Sequence, residues 1–294
     1  MDKTVFITGG NRGIGLALCQ KFATEYGFKV YMGARDLNKA KESIKKIGSP
    51  KNIIPIEIDV EFEESIAKAY EEYLKIKDKD EKLYIFINNA AAQLDWIPNE
   101  SHIKALEIPI ELLDRIYRIN VFASILTTRY FVNSMLEGGR IVNVSSGSGE
   151  LWDYNAEKDF QIGYATSKAA LIMVTKKLSG ALKDKNIYVN CVCPGWCKTS
   201  MGGWIDATDT PEDGANSIIK ACFLNDKNPP TGKHFRHGER IPVDIYFGND
   251  LKELRENYIE LERKFEIMNK NIDKLAWWIP IKKLRDKFRN KFKI

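Results

Sequence analysis

Tyr164 and Lys168 stand four residues apart in Tyr164-Ala165-Thr166-Ser167-Lys168. On a helix that spacing places both side chains on one face, where an ammonium can favour the ionised form of a phenol. A free tyrosine titrates near pH 10, and bringing it to about 7 takes about 4 kcal/mol of differential stabilisation. The pair therefore offers acid-base chemistry near neutral pH. A solvated helix face produces the same spacing, so its meaning depends on the residues around it.

The second feature is Thr8-Gly9-Gly10-Asn11-Arg12-Gly13-Ile14-Gly15, between a β-rich run and an apolar helical pattern. Glycines there let the backbone turn tightly and approach a pyrophosphate lying on the helix N-terminus. Gly9, Asn11, Arg12, Gly13, Ile14 and Gly15 are thus candidate dinucleotide contacts, a plain glycine-rich turn being the alternative. The next β-rich run ends in Met32-Gly33-Ala34-Arg35-Asp36. An acidic residue at that end would bind the 2′-hydroxyl of NAD, whereas a cation meets the 2′-phosphate of NADP. Arg35 and Arg12 favour NADP, and Asp36 reads as a helix N-cap. A cationic nicotinamide ring beside Lys168 would complete the electrostatics that Tyr164 needs.

Short β-rich runs alternate with helical patterns, which implies a doubly wound parallel sheet of the α/β class. Strands are expected at 3–8, 28–33, 52–58, 83–88, 139–145 and 187–192, and helices at 13–26, 37–47, 61–76, 110–134, 163–183 and 211–224. Leu83-Tyr84-Ile85-Phe86-Ile87 and Arg140-Ile141-Val142-Asn143-Val144 suit strands covered on both faces. Ligands of such sheets bind beyond the carboxyl ends of the strands, where every motif above falls.

The 294 residues allow one large core, and the hydrophobic and charged fractions of 44% and 29% are those of an ordinary globular chain. The expected location is cytoplasmic, since no signal-peptide pattern opens the chain and no apolar run is long enough to span a bilayer. Residues 1–249 carry 32 basic and 32 acidic residues, so the main body has no basic excess for nucleic acid. The five cysteines read as reduced, and Cys191-x-Cys193-x3-Cys197 lacks zinc-site spacing, so no metal is expected. His234 and His237 read as parts of a surface strand.

Past these motifs the chain resembles the short-chain dehydrogenases/reductases, in particular their carbonyl-reductase-like, NADP-preferring members with a Rossmann sheet. Asn88-Asn89-Ala90-Ala91 is similar to the family's Asn-Asn-Ala-Gly, with Ala91 in place of glycine, and implies cofactor contacts by Asn89 and Ala90. Asp59-Val60 resembles the pair whose carboxylate meets the adenine amino group. Asn120 matches the helix asparagine that holds a relay water, Ser146 the serine that orients the carbonyl, and Pro194-Gly195-x3-Thr199 the nicotinamide-carboxamide loop. By that resemblance Asn120, Ser146, Tyr164 and Lys168 are catalytic, Tyr164 as acid or base, with Lys168 and Tyr164 also at the cofactor. The implied reaction is hydride transfer between NADP(H) and a small carbonyl or secondary-alcohol substrate.

Ser146 precedes Tyr164 by 18 residues, more than is common in the family. The extra stretch from Gly147 to Gly163 either walls the substrate pocket or is a solvated loop, and residues 200–215 read as a mobile lid over the cofactor. Beyond the catalytic domain at 1–249, apolar residues from Leu251 to Leu275 recur at alternating spacings of three and four, a coiled-coil pattern over 250–275 that implies a homo-oligomer, dimer or tetramer. From 274 onward 8 basic residues face one acidic one, so 276–294 reads as a basic amphipathic tail. Such a tail suits docking at the inner face of an anionic membrane, packing on the chain's own body, or disorder. It also motivates two alternatives: a sugar-directed reductase, dehydrogenase or epimerase of bacterial surface-polysaccharide synthesis, and a non-catalytic NADPH-binding scaffold.

Overall fold

A computed structural model describes residues 3–96, 103–150, 159–201, 206–224 and 228–241, and residues 259–261, 263–264 and 266–268. The chain separates into two compact units, Met1–Ile241 and Pro242–Ile294. In the first, the order is β1 (Thr4–Ile7), α1 (Gly13–Thr24), β2 (Lys29–Ala34), α2 (Leu37–Lys46), β3 (Ile53–Glu57), α3 (Glu63–Ile76) and β4 (Leu83–Asn88). There follow α4 (Ile110–Tyr117), α5 (Ala123–Phe131), β5 (Met135–Val144), α6 (Ile162–Ala181), β6 (Tyr188–Cys193), α7 (Pro211–Cys222), β7 (His234–Arg236) and β8 (Glu239–Ile241).

The strands form one sheet in the order β3-β2-β1-β4-β5-β6-β7-β8. Every pair is parallel except β7 with β8. Alternation along β1 explains the two-faced core. Val5 and Ile7 join the cluster that holds Leu18 and Phe22 of α1 and Ile218 of α7, while Phe6 points the other way, among Tyr73 of α3 and Phe131 of α5. Phe6 stacks on Phe86 of the adjacent strand at 5.2 Å between ring centroids. Burying both faces of the sheet requires helices on both sides, which is the doubly wound arrangement the sequence implies.

A polar line crosses this core. Asn88 and Asn143 are register partners at the ends of β4 and β5, and Asn88 Nδ2 donates to Asn143 Oδ1 at 2.8 Å. Thr127 of α5 donates to Asn88 Oδ1 at 2.7 Å, and Asn143 Nδ2 donates to Thr175 of α6 at 2.9 Å. The chain of bonds ties α5 and α6 to the two central strands with each amide satisfied. Asn143→Leu keeps the volume but leaves the Asn88 amide without its acceptor in a fully buried site. We expect a loss of about 2–4 kcal/mol in urea unfolding, and a loss below about 0.5 kcal/mol would show the network to be dispensable.

Several expectations change. The helix expected over 110–134 ends at Phe131 and is interrupted by a π-helical turn at Arg118–Phe122, before a short 3-10 turn at Val132–Ser134. The surface-strand reading of His234 fails: β7 lies between β6 and β8, and His234 is wholly buried. Burial and the Arg236 guanidinium push its imidazole down to about 4, so it is neutral, and neither ring nitrogen has a hydrogen-bond partner.

The expected lid over 200–215 is also revised in part. Residues 211–215 are the first turns of α7, which a reciprocal capping box locks in place. Asp213 N–H donates to Thr210 Oγ1 at 3.1 Å, and Thr210 N–H donates to the Asp213 carboxylate at 3.0 Å. Residues 202–205, the centre of that expected lid, lie outside the described residues.

In the second unit the described residues 259–261, 263–264 and 266–268 are helical, and Leu261 and Met268 of the expected heptads are 53% and 39% exposed. Most of the heptad stretch and all of the basic tail at 276–294 lie outside the described residues. Among the described residues no helix is long and apolar enough to cross a membrane.

Candidate active site

Strand order reverses between β1 and β4, and the loops leaving these two strands are knitted together. Thr8 Oγ1 accepts from the N–H groups of Asn89 and Ala90, both at 3.0 Å, and Asn89 Nδ2 donates to Thr8 O at 2.9 Å. A Cβ on Gly9 would sit 3.0 Å from Ala90 Cα, and one on Gly15 would overlap the Gly9 carbonyl oxygen. Only glycine lets this loop fold so tightly onto the helix that follows it. Ser43 of α2 anchors the loop by donating to Asn11 O at 2.7 Å.

Helix α1 opens with Arg12 at its N-cap, with no side-chain cap and no acidic residue in its first turn. Its N-terminal amides and dipole are therefore unspent at the end that faces the glycine loop. Gly13 lies beside Thr199, whose Cγ2 would be 3.2 Å from an added Cβ, so the loop after β6 reaches back to the glycine turn. Gly195, at φ +96°, and Pro194 start that loop, and Asp209 secures it by accepting from Trp196 N at 3.0 Å. Asp59 and Val60 follow β3, with Asp59 half-buried and Val60 buried. Arg35 and Arg12 are exposed. The residues expected at a dinucleotide therefore converge from the ends of β1, β2, β3, β4 and β6, and the bare helix terminus with its glycine cradle fits a pyrophosphate.

Asp36 does what its position implied: its carboxylate accepts from Asn38 N at 2.9 Å and Lys39 N at 3.1 Å, capping α2. These backbone donors hold its carboxyl below the usual range.

Ser146 follows β5 in extended conformation, and its side chain lowers the Tyr164 phenol against the larger effect of burial. Gly149 packs directly on α6, where a Cβ would lie 2.6 Å from the Lys168 carbonyl carbon. The stretch after Ser146 thus begins as a packed turn. Glu150 is 6% exposed and accepts from Arg236 Nη2 at 2.6 Å, whereas residues 151–158, the rest of the supposed pocket wall, lie outside the described residues.

Lys168 is 2% exposed and donates through Nζ to Val144 O at 2.8 Å. The same Nζ lies 5.6 Å from the centroid of the Tyr164 ring. The pair is together as the sequence implied, yet its protonation differs from the simple expectation. Burial pushes the Tyr164 phenol up to about 12 and the Lys168 ammonium down to about 8. Desolvation disfavours both charged forms and is the largest cause for each. At neutral pH the site holds a protonated phenol, which is a loaded proton donor.

Asn120 occupies the π-helical turn, and its side chain is fully used. Nδ2 donates to Ala92 O at 2.8 Å and Ser167 Oγ at 3.0 Å, and Oδ1 accepts from Ala92 N at 2.8 Å. Among the described residues it makes no direct bond to Lys168. A small cavity behind it is bounded by Thr8, Asn88, Ala90, Val144 and Leu171. Among the described residues no cluster of His, Cys, Asp or Glu could hold a metal ion. The cysteine run is buried thiols, with burial pushing Cys197 up to about 12.

Sequence reasoning missed Asp95. Its carboxylate reaches the first turn of α6 from the loop after β4, accepting from Gly163 N at 2.7 Å and Tyr164 N at 3.0 Å. The available signal was negative. Phe160-Gln161-Ile162, just before the Tyr164 turn, contains none of the residues that cap helices, so the cap had to come from elsewhere.

Comparison with known proteins bears on the family and the fold. A family model described as short chain dehydrogenase matches residues 3–210. The chain is 30% identical over 231 residues to short-chain dehydrogenase anuI of Penicillium roqueforti, covering 74% of this chain and 87% of that protein. It is 32% identical over 240 residues to the 3-oxoacyl-[acyl-carrier-protein] reductase FabG of Aquifex aeolicus, covering 75% and 90%. Among solved structures, the NADPH-bound carbonyl reductase from chicken fatty liver superimposes with a TM-score of 0.70 at 26% identity, covering 81% of this chain and 98% of that one.

Proposed function

Because the chain belongs to the short-chain dehydrogenase family and is an oxidoreductase, we propose that it reduces a small carbonyl compound with NADPH, with Tyr164 as the proton donor. One observation carries the reading: a phenol pushed up to about 12 by burial stands beside the buried Lys168, near the strand-end loops that would hold a dinucleotide. Gly9, Gly13, Gly15 and the α1 N-terminus would hold the pyrophosphate, Asn89, Ala90, Pro194, Gly195 and Thr199 the nicotinamide half, Asp59 and Val60 the adenine, and Arg12 and Arg35 the 2′-phosphate. When bound, NADPH supplies the hydride.

This chain's residues manage the other half of the reaction. The Ser146 hydroxyl donates to the substrate carbonyl oxygen and fixes its direction. Tyr164 gives its phenolic proton to that oxygen as negative charge develops on it, and an alkoxide is a strong enough base to take a proton even from a phenol raised to about 12. The phenolate left behind is stabilised by the Lys168 ammonium on the same helix face. NADPH as cofactor is further supported by the likeness to the NADPH-bound chicken enzyme. The test is NADPH oxidation with a panel of aromatic aldehydes, α-diketones and acetoacetyl thioesters. Turnover of none of these classes, with NADPH shown to bind, would overturn the reading.

The pH dependence follows from the lysine. Below about 8 Lys168 is charged and supports the phenolate; above it the ammonium is lost while Tyr164 keeps its proton. The reductive kcat/KM is therefore expected to be level up to about pH 8 and then to fall about tenfold per pH unit, as for loss of one essential proton. Lys168→Arg, always charged, should lower the plateau and remove that limb. A limb near pH 8 that persists in the arginine variant would assign it to another group.

A further inference from the structure

We propose that Asp95 is a positioning residue for the reduction: a distal cap of α6 that aims Tyr164 and sets a buried carboxylate against the turn that carries it. The proposal rests on Tyr164 being the proton donor. Helix α6 starts at Ile162, and its N-cap residue Gln161 sits at φ +61° and offers no side-chain acceptor. The N–H groups of the second and third helical residues, Gly163 and Tyr164, would be orphaned in the interior. Both donate instead to Asp95 Oδ2, at 2.7 and 3.0 Å, which is the bonding of an N-cap side chain supplied from 68 and 69 residues away.

Two further observations show that this contact is built. A Cβ on Gly163 would lie 2.7 Å from Ile116 Cδ1 and 3.1 Å from Asp95 Oδ2, so the carboxylate reaches the helix only because residue 163 has no side chain. Asp95 is 1% exposed, and its second oxygen, Oδ1, is buried with no hydrogen-bond partner. A carboxylate bound on one side and bare on the other keeps much of its field, and the α1-like dipole of the α6 terminus holds it there. Tyr164 is the residue next to it.

The titratable and charged groups that act on the phenol come from four elements: Lys168 on its own helix, Ser146 after β5, Cys193 at the end of β6, and Asp95 after β4. Cys191 and Cys193 act on Lys168, and Glu150 acts in turn on Cys191 and, with Cys193, on Arg236. Burial is the main cause that raises Tyr164; Asp95 adds to it, and Ser146 acts against it. Asp95 thus adds to burial in keeping the phenol protonated at neutral pH, the form that donates to a carbonyl oxygen.

Asp95→Asn keeps an acceptor for the two N–H groups and removes the charge. With protein labelled at the tyrosine ζ carbon and saturated with NADP⁺, carbon NMR follows Tyr164, its resonance assigned by its absence in Tyr164→Phe. The titration midpoint is expected to fall by about one unit in Asp95→Asn. Asp95→Ala, lacking the cap, should lose about tenfold in kcat with KM for NADPH unchanged. If Asp95→Asn fails to fold by circular dichroism, Asp95→Ser removes the charge with an acceptor kept and is read the same way. An unmoved midpoint in the folded variant overturns the proposal. Failure of the donor assignment is separate: it would appear as activity surviving in Tyr164→Phe, whatever the midpoint does.

Discussion

Tyr164→Phe is expected to lower kcat for carbonyl reduction about 10³-fold, equivalent to about 4 kcal/mol of transition-state stabilisation. The substitution removes one oxygen and little else. The ring keeps its place over Lys168 Nζ, the backbone N–H keeps its bond to Asp95, and Ser146 Oγ keeps its bond from Ser148 N. Stability and NADPH binding should therefore change little, which intrinsic fluorescence quenching and thermal unfolding can check. The loss should fall on kcat and kcat/KM together, since the proton is needed only as the alkoxide forms. A variant within tenfold of the parent would mean that water or another group delivers the proton, and the assignment would have to be abandoned.

The second large effect concerns the cofactor. Arg35 is exposed directly after β2, and among the described residues it forms no ion pair, so its charge is available to a ligand. Asp36, the acidic residue that could have served a ribose hydroxyl, is committed to the cap of α2. Charge-assisted bonds to a phosphate are worth about 1.5–3 kcal/mol, and replacing the cation by an anion adds repulsion. Arg35→Asp should accordingly raise KM for NADPH about 100-fold while KM for NADH moves by only a few-fold. Equal effects on the two cofactors would show that Arg35 supports the loop and does not read the phosphate.

Much of this site was legible from order and residue type. Glycines that must approach backbone, a cation after β2 and a tyrosine-lysine pair at helical spacing are local statements, and the fold only has to bring the strand ends together. What escaped was non-local. Asp95 caps a helix far along the chain, and nothing in Leu94-Asp95-Trp96 advertises that partner. The π-helical turn at Asn120 interrupts an apolar pattern that continues through it, because the pattern reports the buried face and not the hydrogen-bond ladder. His234 was misread because β7 and β8 are three residues each, too short to show alternation, and because β8 pairs outside β7, which is therefore not the edge of the sheet. The protonation of Tyr164 and Lys168 was legible in kind but not in balance. Spacing gives the proximity of two groups and is silent on how much water surrounds them.

The knitting of Thr8 to Asn89 carries a consequence for how the protein comes to life. These residues are 81 positions apart, and the strands that bring them together, β1 and β4, pair Val5 with Ile85 only after two whole β-α units have been threaded between them. Closing so long a loop is entropically slow, and no fragment of the chain can present the pyrophosphate cradle before it happens. Binding competence therefore arrives only once that long-range pairing has formed. A dinucleotide that recognises only that finished state adds to stability by mass action, about 2.7 kcal/mol at a hundredfold excess over its Kd. The supply of reduced cofactor in the cell thus bears on how much of this enzyme persists, as well as on how fast it works.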